Sequence, residues 1–458
     1  MYPYVVFYAL VAVAGLLWIL AFRDVSDRII VQVLLGGALC TAALWTWHVS
    51  EPTVLFSDFN VAYYPAGRAI VDDLPHLFTR CWDTPVCGFV NLPVVALVFT
   101  PFAALTLRHA QWLFVVLSLM SFALSLLLLW SVTDGAWSRR WAILSLFAIN
   151  GPLFYSLKEG NLTHFALLLL IAGVVCLDKA WERSAGICFA LAAIIKLPLL
   201  LFAVYFVVKR HWKVVGGYGA TLAAVVALSL SYAGWKSHVE WYREVIVPFS
   251  NRGLAAFNVQ SMEGFLLRLQ DNVQLYNWKP VTVTEDIQLV ERCGAVLLAG
   301  LSGMLFVRHP GRHLRETIFL ELSMVLCLCL IISPITWTHY YVLLLVPLAL
   351  YAGNRLPFPN HNGWSVVMGL STLLITPPVV FMGQTAGWQA QIANVMVSHY
   401  LVGALLLWGL MASVRWSIAR PHRFQLVRSD PALSSAMGMR KRCESNESNT
   451  RMDQEAAG

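Results

Sequence analysis

Apolar runs, each about 17 to 25 residues long, follow one another along nearly the whole sequence, and each can cross a hydrocarbon layer roughly 30 Å thick. Nothing else constrains this chain as strongly. Backbone N–H and C=O groups in lipid must pair within their own segment, so such runs are helices rather than open strands. The composition agrees: 58% of the 458 residues are hydrophobic and 12% are charged, where an ordinary soluble domain is about one-quarter charged. The expected class is an all-α, polytopic integral membrane protein with about 11–13 transmembrane or re-entrant helices.

Candidate spans cover 3–22, 29–48, 92–107, 110–132, 141–157, 162–177, 185–207, 214–234, 288–307, 317–334, 339–352, 363–381 and 397–414. They divide the chain into N-terminal transmembrane helices (1–48), a first polar loop (49–91) and a transmembrane core (92–234). A second polar loop (235–287), C-terminal transmembrane helices (288–416) and a basic tail of disordered composition (417–458) follow. The first run lacks a basic leader and a small-residue cleavage site, so it reads as a retained span. "VKRHWK" at 208–213, "VRHPGRHLRE" at 307–316 and the tail from Arg415 mark the cytoplasmic side, where Lys and Arg collect. That bias accounts for the net charge of +7 and leaves no nucleic-acid footprint.

These connectors put 235–287 outside. If every span crosses once, however, Asp58 lies outside only together with Arg139 and Arg140, against the charge rule. A broken or re-entrant segment repairs the parity, either at Lys196 and Pro198 in "AAIIKLPLLLF" or around Pro101, because proline removes a donor and interrupts a helix. Most of the nine cysteines lie in apolar runs as small hydrophobes, and none has zinc spacing with histidine. Cys81 and Cys87 sit in the first polar loop, as a disulfide or as two free thiols.

Ionisable groups at the ends of apolar runs are costly, which makes each a functional candidate. Asp58 opens "DFNVAYYPAGRAI"; as an N-cap it satisfies orphan N–H groups, and that role is compatible with catalysis. Arg68 and Asp72 have the spacing of an i,i+4 pair, and Tyr63 and Tyr64 suit an interfacial belt. Arg68, Tyr63 and Tyr64 equally suit substrate contact. In "SPITWTHYYVLLLVPL", His339 is either a packing residue or a donor to a phosphate at the membrane surface. Asn161 in "KEGNLTHF" either makes a turn or lines a polar cleft. Asn258 and Gln260 in "FNVQSMEGFLLRL" are neutral hydrogen-bonding groups of a loop surface or of a sugar site.

One acid with several donors suits a reaction whose leaving group is a lipid phosphate. Transfer of a sugar with inversion passes through an oxocarbenium-like state. A departing phosphate needs no proton, only positive charge or hydrogen-bond donors. A single carboxylate then suffices to take the proton of the attacking hydroxyl. No cofactor is required, and one carboxylate is a poor site for a hard cation, so no metal is expected.

In order, "DFNVAYYPAGRAI", "NLPVVALVFTPFAAL", "EGNLTHFALLLL", "AAIIKLPLLLFAVYFVVKRHWK", "NVQSMEGFL" and "SPITWTHYYVLLLVPL" resemble glycosyltransferase family 87. These are bacterial membrane enzymes of the GT-C superfamily that include polyprenol-phosphate-mannose-dependent α-mannosyltransferases. The resemblance implies a GT-C-type fold and a polyprenyl-phosphate-linked sugar donor used at the extracytoplasmic face without a nucleotide sugar. It further implies a glycan or glycolipid acceptor and a multi-pass place in the cell (inner) membrane. The family's first-loop aspartate corresponds to Asp58, its Lys-x-x-Pro-like segment to Lys196 and Pro198, and its Trp-x-His segment to Trp337 and His339. Its frequent Tyr-Pro-Pro stands here as Asn91-Leu92-Pro93, and its Gly-Gln-x-Asn as Gly160-Asn161-Leu162-Thr163. The resulting expectation is an inverting hexosyltransferase, for mannose first, with Asp58 as base, Arg68 and His339 on the phosphate, and Asn258 and Gln260 on sugar. A lipid-linked glycan flippase is the alternative, since broken helices with internal polar residues also build transporters.

Overall fold

A computed structural model describes residues 55–78, 88–133, 137–249, 251–270, 274–308, 314–359, 362–378 and 388–418. The spans expected at 3–22 and 29–48, Cys81 with Cys87, and the tail beyond 418 lie outside these residues. A π-helical turn, Phe59–Tyr63, leads into α1 (Tyr64–Asp72), α2 (Pro93–Val98), α3 (Thr100–Ala103), α4 (Leu107–Ser131), α5 (Trp137–Ala148) and α6 (Gly151–Lys158). Next come α7 (Thr163–Asp178), α8 (Glu182–Ile195), α9 (Leu201–Val208), α10 (Trp212–Trp241) and α11 (Met262–Arg268). The last are α12 (Glu285–Phe306), α13 (Leu314–Ile331), α14 (Leu345–Ala352), α15 (Asn362–Ile375), α16 (Trp388–Met396) and α17 (His399–Ile418). A two-residue antiparallel ladder, Arg252–Gly253 with Val281–Thr282, is the only sheet among the described residues.

Among the described residues, four helices are long and apolar enough to cross a membrane: α4, α10 continued to Phe249, α12 and α17. The molecule is an all-α membrane protein. Several runs expected as single spans are instead interrupted at proline and polar residues. The 92–107 run becomes α2 and α3, each with proline in its first turn. Asn150 splits 141–157, its side chain capping α6 through the Leu153 amide at 2.9 Å. Lys196 takes an extended conformation (φ −133°) between α8 and a 3₁₀ turn, Leu197–Leu200, that contains Pro198.

Hydrogen bonds sort the connections between two ends of the bundle. At one end, Tyr64 donates to the Leu105 carbonyl, Gln111 to Asn60 and Trp241 to the Val90 carbonyl. The α2–α3 segment therefore stays at the end that holds Asp58. At the other end Trp130 donates to the Arg140 carbonyl, Lys209 to the Phe306 carbonyl, and Arg355 pairs with Asp178. Arg139 and Arg140 thus lie opposite Asp58, in line with the charge rule. The interruption near Pro101 reverses their side, and the break at Lys196 returns "VKRHWK" to it. Both are needed.

Close backbone contact holds the central helices. A Cβ on Gly186 of α8 would lie 2.7 Å from the Tyr218 amide of α10, so only glycine allows this approach. Glu321 of α13 and Arg415 of α17 are fully buried and paired, Nε to Oε1 at 2.8 Å. Lys209 reaches the same carboxylate at 3.0 Å, Tyr205 donates to it at 2.9 Å, and Arg415 also donates to the Arg308 carbonyl at 2.6 Å. A lone buried carboxylate is strongly disfavoured; two cations and a hydroxyl satisfy this one. The knot joins α9, α13 and α17 at the end away from Asp58.

Candidate active site

The segment bearing Asp58 is stitched to the turn between α6 and α7. Phe56 N–H donates to the Lys158 carbonyl at 2.6 Å, and Asp58 N–H to the Glu159 carbonyl at 2.8 Å. Ser57 Oγ donates to the Glu159 carboxylate. Gly160 turns with φ +67°, and a Cβ there would meet the Phe59 Cβ at 2.6 Å, so the turn requires glycine. Phe59 is anchored among Phe99, Phe102 and Phe114, and Tyr63 stacks on Phe99 at 4.9 Å. Asp58 makes no side-chain cap, so its carboxylate is free for other partners.

Asn161 is the hub. Its Oδ1 accepts from Lys196 Nζ at 3.1 Å, Thr163 N–H at 3.0 Å and Thr163 Oγ1 at 2.6 Å. Three donors on one side fix the orientation of the amide, and its nitrogen faces Asp58 Oδ2 at 2.6 Å, with Tyr63 Oη at 3.5 Å. Lys196 Nζ lies 4.0 Å above the Tyr340 ring. An acid, an amide and a cation thus stand in a row. Burial raises the proton affinity of Asp58 above the ordinary carboxylate range, and the Asn161 bond and Lys196 charge offset this only in part. Glu159 is pushed up to about 7, first by burial and then by the charge of Asp58.

The two motif segments from the second half meet each other. Val259 bridges Trp337, Gln260 N–H donates to the Thr336 carbonyl at 2.6 Å, and Thr338 N–H donates to the Asn258 carbonyl at 2.9 Å. Ser261 caps α11 and also donates to the Pro334 carbonyl at 2.6 Å. This pairing delivers His339 and Tyr340 to the site. His339 is buried with Nε2 lacking a hydrogen-bond partner, and it lies within electrostatic reach of Lys196.

Of the residues singled out in the sequence, Asp58, Tyr63 and Asn161 come together. Tyr64 points to the α3–α4 turn instead, and Arg68 is exposed on α1. Asn258 Oδ1 accepts from Trp278 at 2.9 Å, and the Gln260 amide is buried and donates to the Phe257 and Val397 carbonyls. Lys196, legible as a helix breaker, is also a site residue. Tyr340 and Glu159 were not singled out, although an aromatic after His339 and an acid beside Gly160 are visible signals.

Lys196 and Tyr340 also line a cavity of 560 Å³. Its other walls are mainly apolar, including Ile195, Leu201, Ile246, Phe249 and Trp337. A greasy chamber with a cation at one edge and an acid one amide away can hold a lipid by its tail, an anion at Lys196 and a hydroxyl near Asp58.

Comparison with known proteins points the same way. Two polyprenol-phosphate-mannose-dependent alpha-(1-2)-phosphatidylinositol mannoside mannosyltransferases are similar to this chain. That of Mycolicibacterium smegmatis is 26% identical over 418 residues, covering 83% of this chain and 89% of that protein. That of Mycobacterium tuberculosis is 23% identical over 416 residues, covering 85% and 92%. The profile of glycosyltransferase family 87 matches residues 89–334, a stretch that holds Glu159, Asn161 and Lys196. Since this match takes in more than half of the sequence, the chain is a glycosyltransferase and belongs to glycosyltransferase family 87.

Proposed function

We propose that this enzyme transfers a mannosyl group, with inversion, from a polyprenyl-phosphate donor to a hydroxyl of a glycolipid or glycan. The work is done at the extracytoplasmic face of the cell membrane, with the chain crossing several times. The carrying observation is the row Asp58–Asn161–Lys196, whose Lys196 end lines an apolar cavity. The names of the two mycobacterial relatives support the donor and the glycolipid acceptor. The gathering of basic connectors at the end opposite Asp58 supports the face.

In this reading Asp58 accepts the acceptor's proton as its oxygen bonds to the sugar's anomeric carbon. The bond from that carbon to the phosphate oxygen breaks, and polyprenyl phosphate leaves as an anion. Lys196 spends one N–H on Asn161 and has two left for that phosphate, and the buried His339 stands within electrostatic reach of the same ammonium group. The isoprenoid lies along the cavity. Purified protein incubated with radiolabelled polyprenyl-phosphate mannose and membrane extract tests this. Wild type is expected to form labelled glycolipid and Asp58→Asn to form none; equal product from both removes Asp58 from the chemistry.

A further inference from the structure

Glu159 belongs to no step above, yet it is built into the support of Asp58 from three directions. Its carbonyl accepts the Asp58 and Phe59 N–H groups at 2.8 and 3.3 Å, its carboxylate accepts the Ser57 hydroxyl, and the next two residues supply the Gly160 turn and the Asn161 amide. We propose that Glu159 is a positioning residue for transfer, one that clasps the 57–58 backbone through Ser57 and strengthens Asp58 as a base through its own negative charge. This rests on the assignment of Asp58 as the base.

The groups facing the pair are few. Asp58 faces Asn161, Lys196, Glu159, Tyr63 and Tyr340, while Glu159 faces Ser57, Asp58 and Lys158. Asn161 and Lys196 both stand on the Asp58 side, so Asp58 ionises first and Glu159 second. Glu159 is held near 7, so it charges within the neutral range. Once charged, it raises the proton affinity of the adjacent base and turns the Ser57 hydrogen bond into a charge-assisted one. Transfer therefore rises with pH in two stages, the upper one belonging to Glu159.

The experiment is the pH dependence of kcat and of donor KM in proteoliposomes, for wild type and for Ser57→Ala, Glu159→Ala and Glu159→Gln, with polyprenyl-phosphate mannose as donor. Ser57→Ala and Glu159→Ala are expected to lower kcat about 10- to 100-fold with donor KM unchanged, the range of one charged hydrogen bond. The double variant is expected to be no worse than either, because both remove the same bond. Glu159→Gln keeps an acceptor for Ser57, so it is expected to recover most of kcat at acid pH and to lack the upper stage near neutrality. Wild-type kcat and profile in Glu159→Ala would overturn the inference, as would multiplicative losses in the double variant. If Glu159→Ala fails to fold, Glu159→Gln decides alone, and an unaltered upper stage overturns the inference. Full activity of Asp58→Asn would instead refute the base itself, whereas an inactive Asp58→Asn with indifferent Glu159 variants refutes only the present inference.

Discussion

Asn161→Ala is the perturbation that most directly questions the row of acid, amide and cation. It deletes the 2.6 Å bond to Asp58 Oδ2 and the acceptor that holds Lys196 at 3.1 Å. A hydrogen bond to an ionised group contributes about 1.5–3 kcal/mol net. At about 1.36 kcal/mol per pKa unit, its loss raises the proton affinity of Asp58 by about one to two units. The bond stabilises the ionised form, so without it Asp58 holds its proton to higher pH, and the acid limb of kcat/KM moves upward by the same amount. The assay is the pH profile of labelled mannose transfer to glycolipid in proteoliposomes. Thr163→Val, which removes one of the three donors to Asn161 Oδ1 and leaves the Asp58 bond, is expected to move the limb much less. An Asn161→Ala limb that superimposes on wild type would show that the amide does not tune the acid, and the electrostatic reasoning would fail.

Lys196→Met keeps an apolar stem over Tyr340 and removes the charge, and kcat/KM for the donor should fall about 10- to 100-fold, read from initial rates at limiting donor. Gly160→Ala, forced to φ +67° against Phe59, should cost about 1–2 kcal/mol, seen as a lower unfolding temperature in detergent together with reduced transfer. Arg415→Met leaves Glu321 with less positive charge in a buried site and should cost about 3–5 kcal/mol by the same thermal assay. The double change Glu321→Leu with Arg415→Met should recover part of that loss, because it removes the buried carboxylate together with Arg415 and leaves only Lys209, which keeps its bond to the Phe306 carbonyl at 2.9 Å.

Much of this arrangement is legible in the sequence. Apolar runs announce helices; prolines and polar residues announce where they stop, and Asp58 and Asn161 stand out as polar groups at run ends. Lys196 is visible for the same reason, but its side chain's destination depends on a turn 35 positions earlier, which no local pattern reveals. Gln260 illustrates the opposite case. Its neutral amide suits sugar recognition, yet the backbone of 258–260 pairs with 336–338, and that long-range match turns the amide inward to the Val397 carbonyl. Hydropathy sees length rather than direction, so the Pro101 and Lys196 interruptions had to be located in three dimensions before the basic connectors fell on one side.

The buried knot of Lys209, Glu321 and Arg415 has a consequence for how the polypeptide is made. A ribosome delivers these residues in the order cation, anion, cation. When Glu321 enters the bilayer its first counter-ion is already in place, and Arg415 arrives 94 residues later to complete the cluster. At no stage of vectorial synthesis does the carboxylate have to wait alone in a greasy surrounding, and α17 finds a ready anchor on insertion.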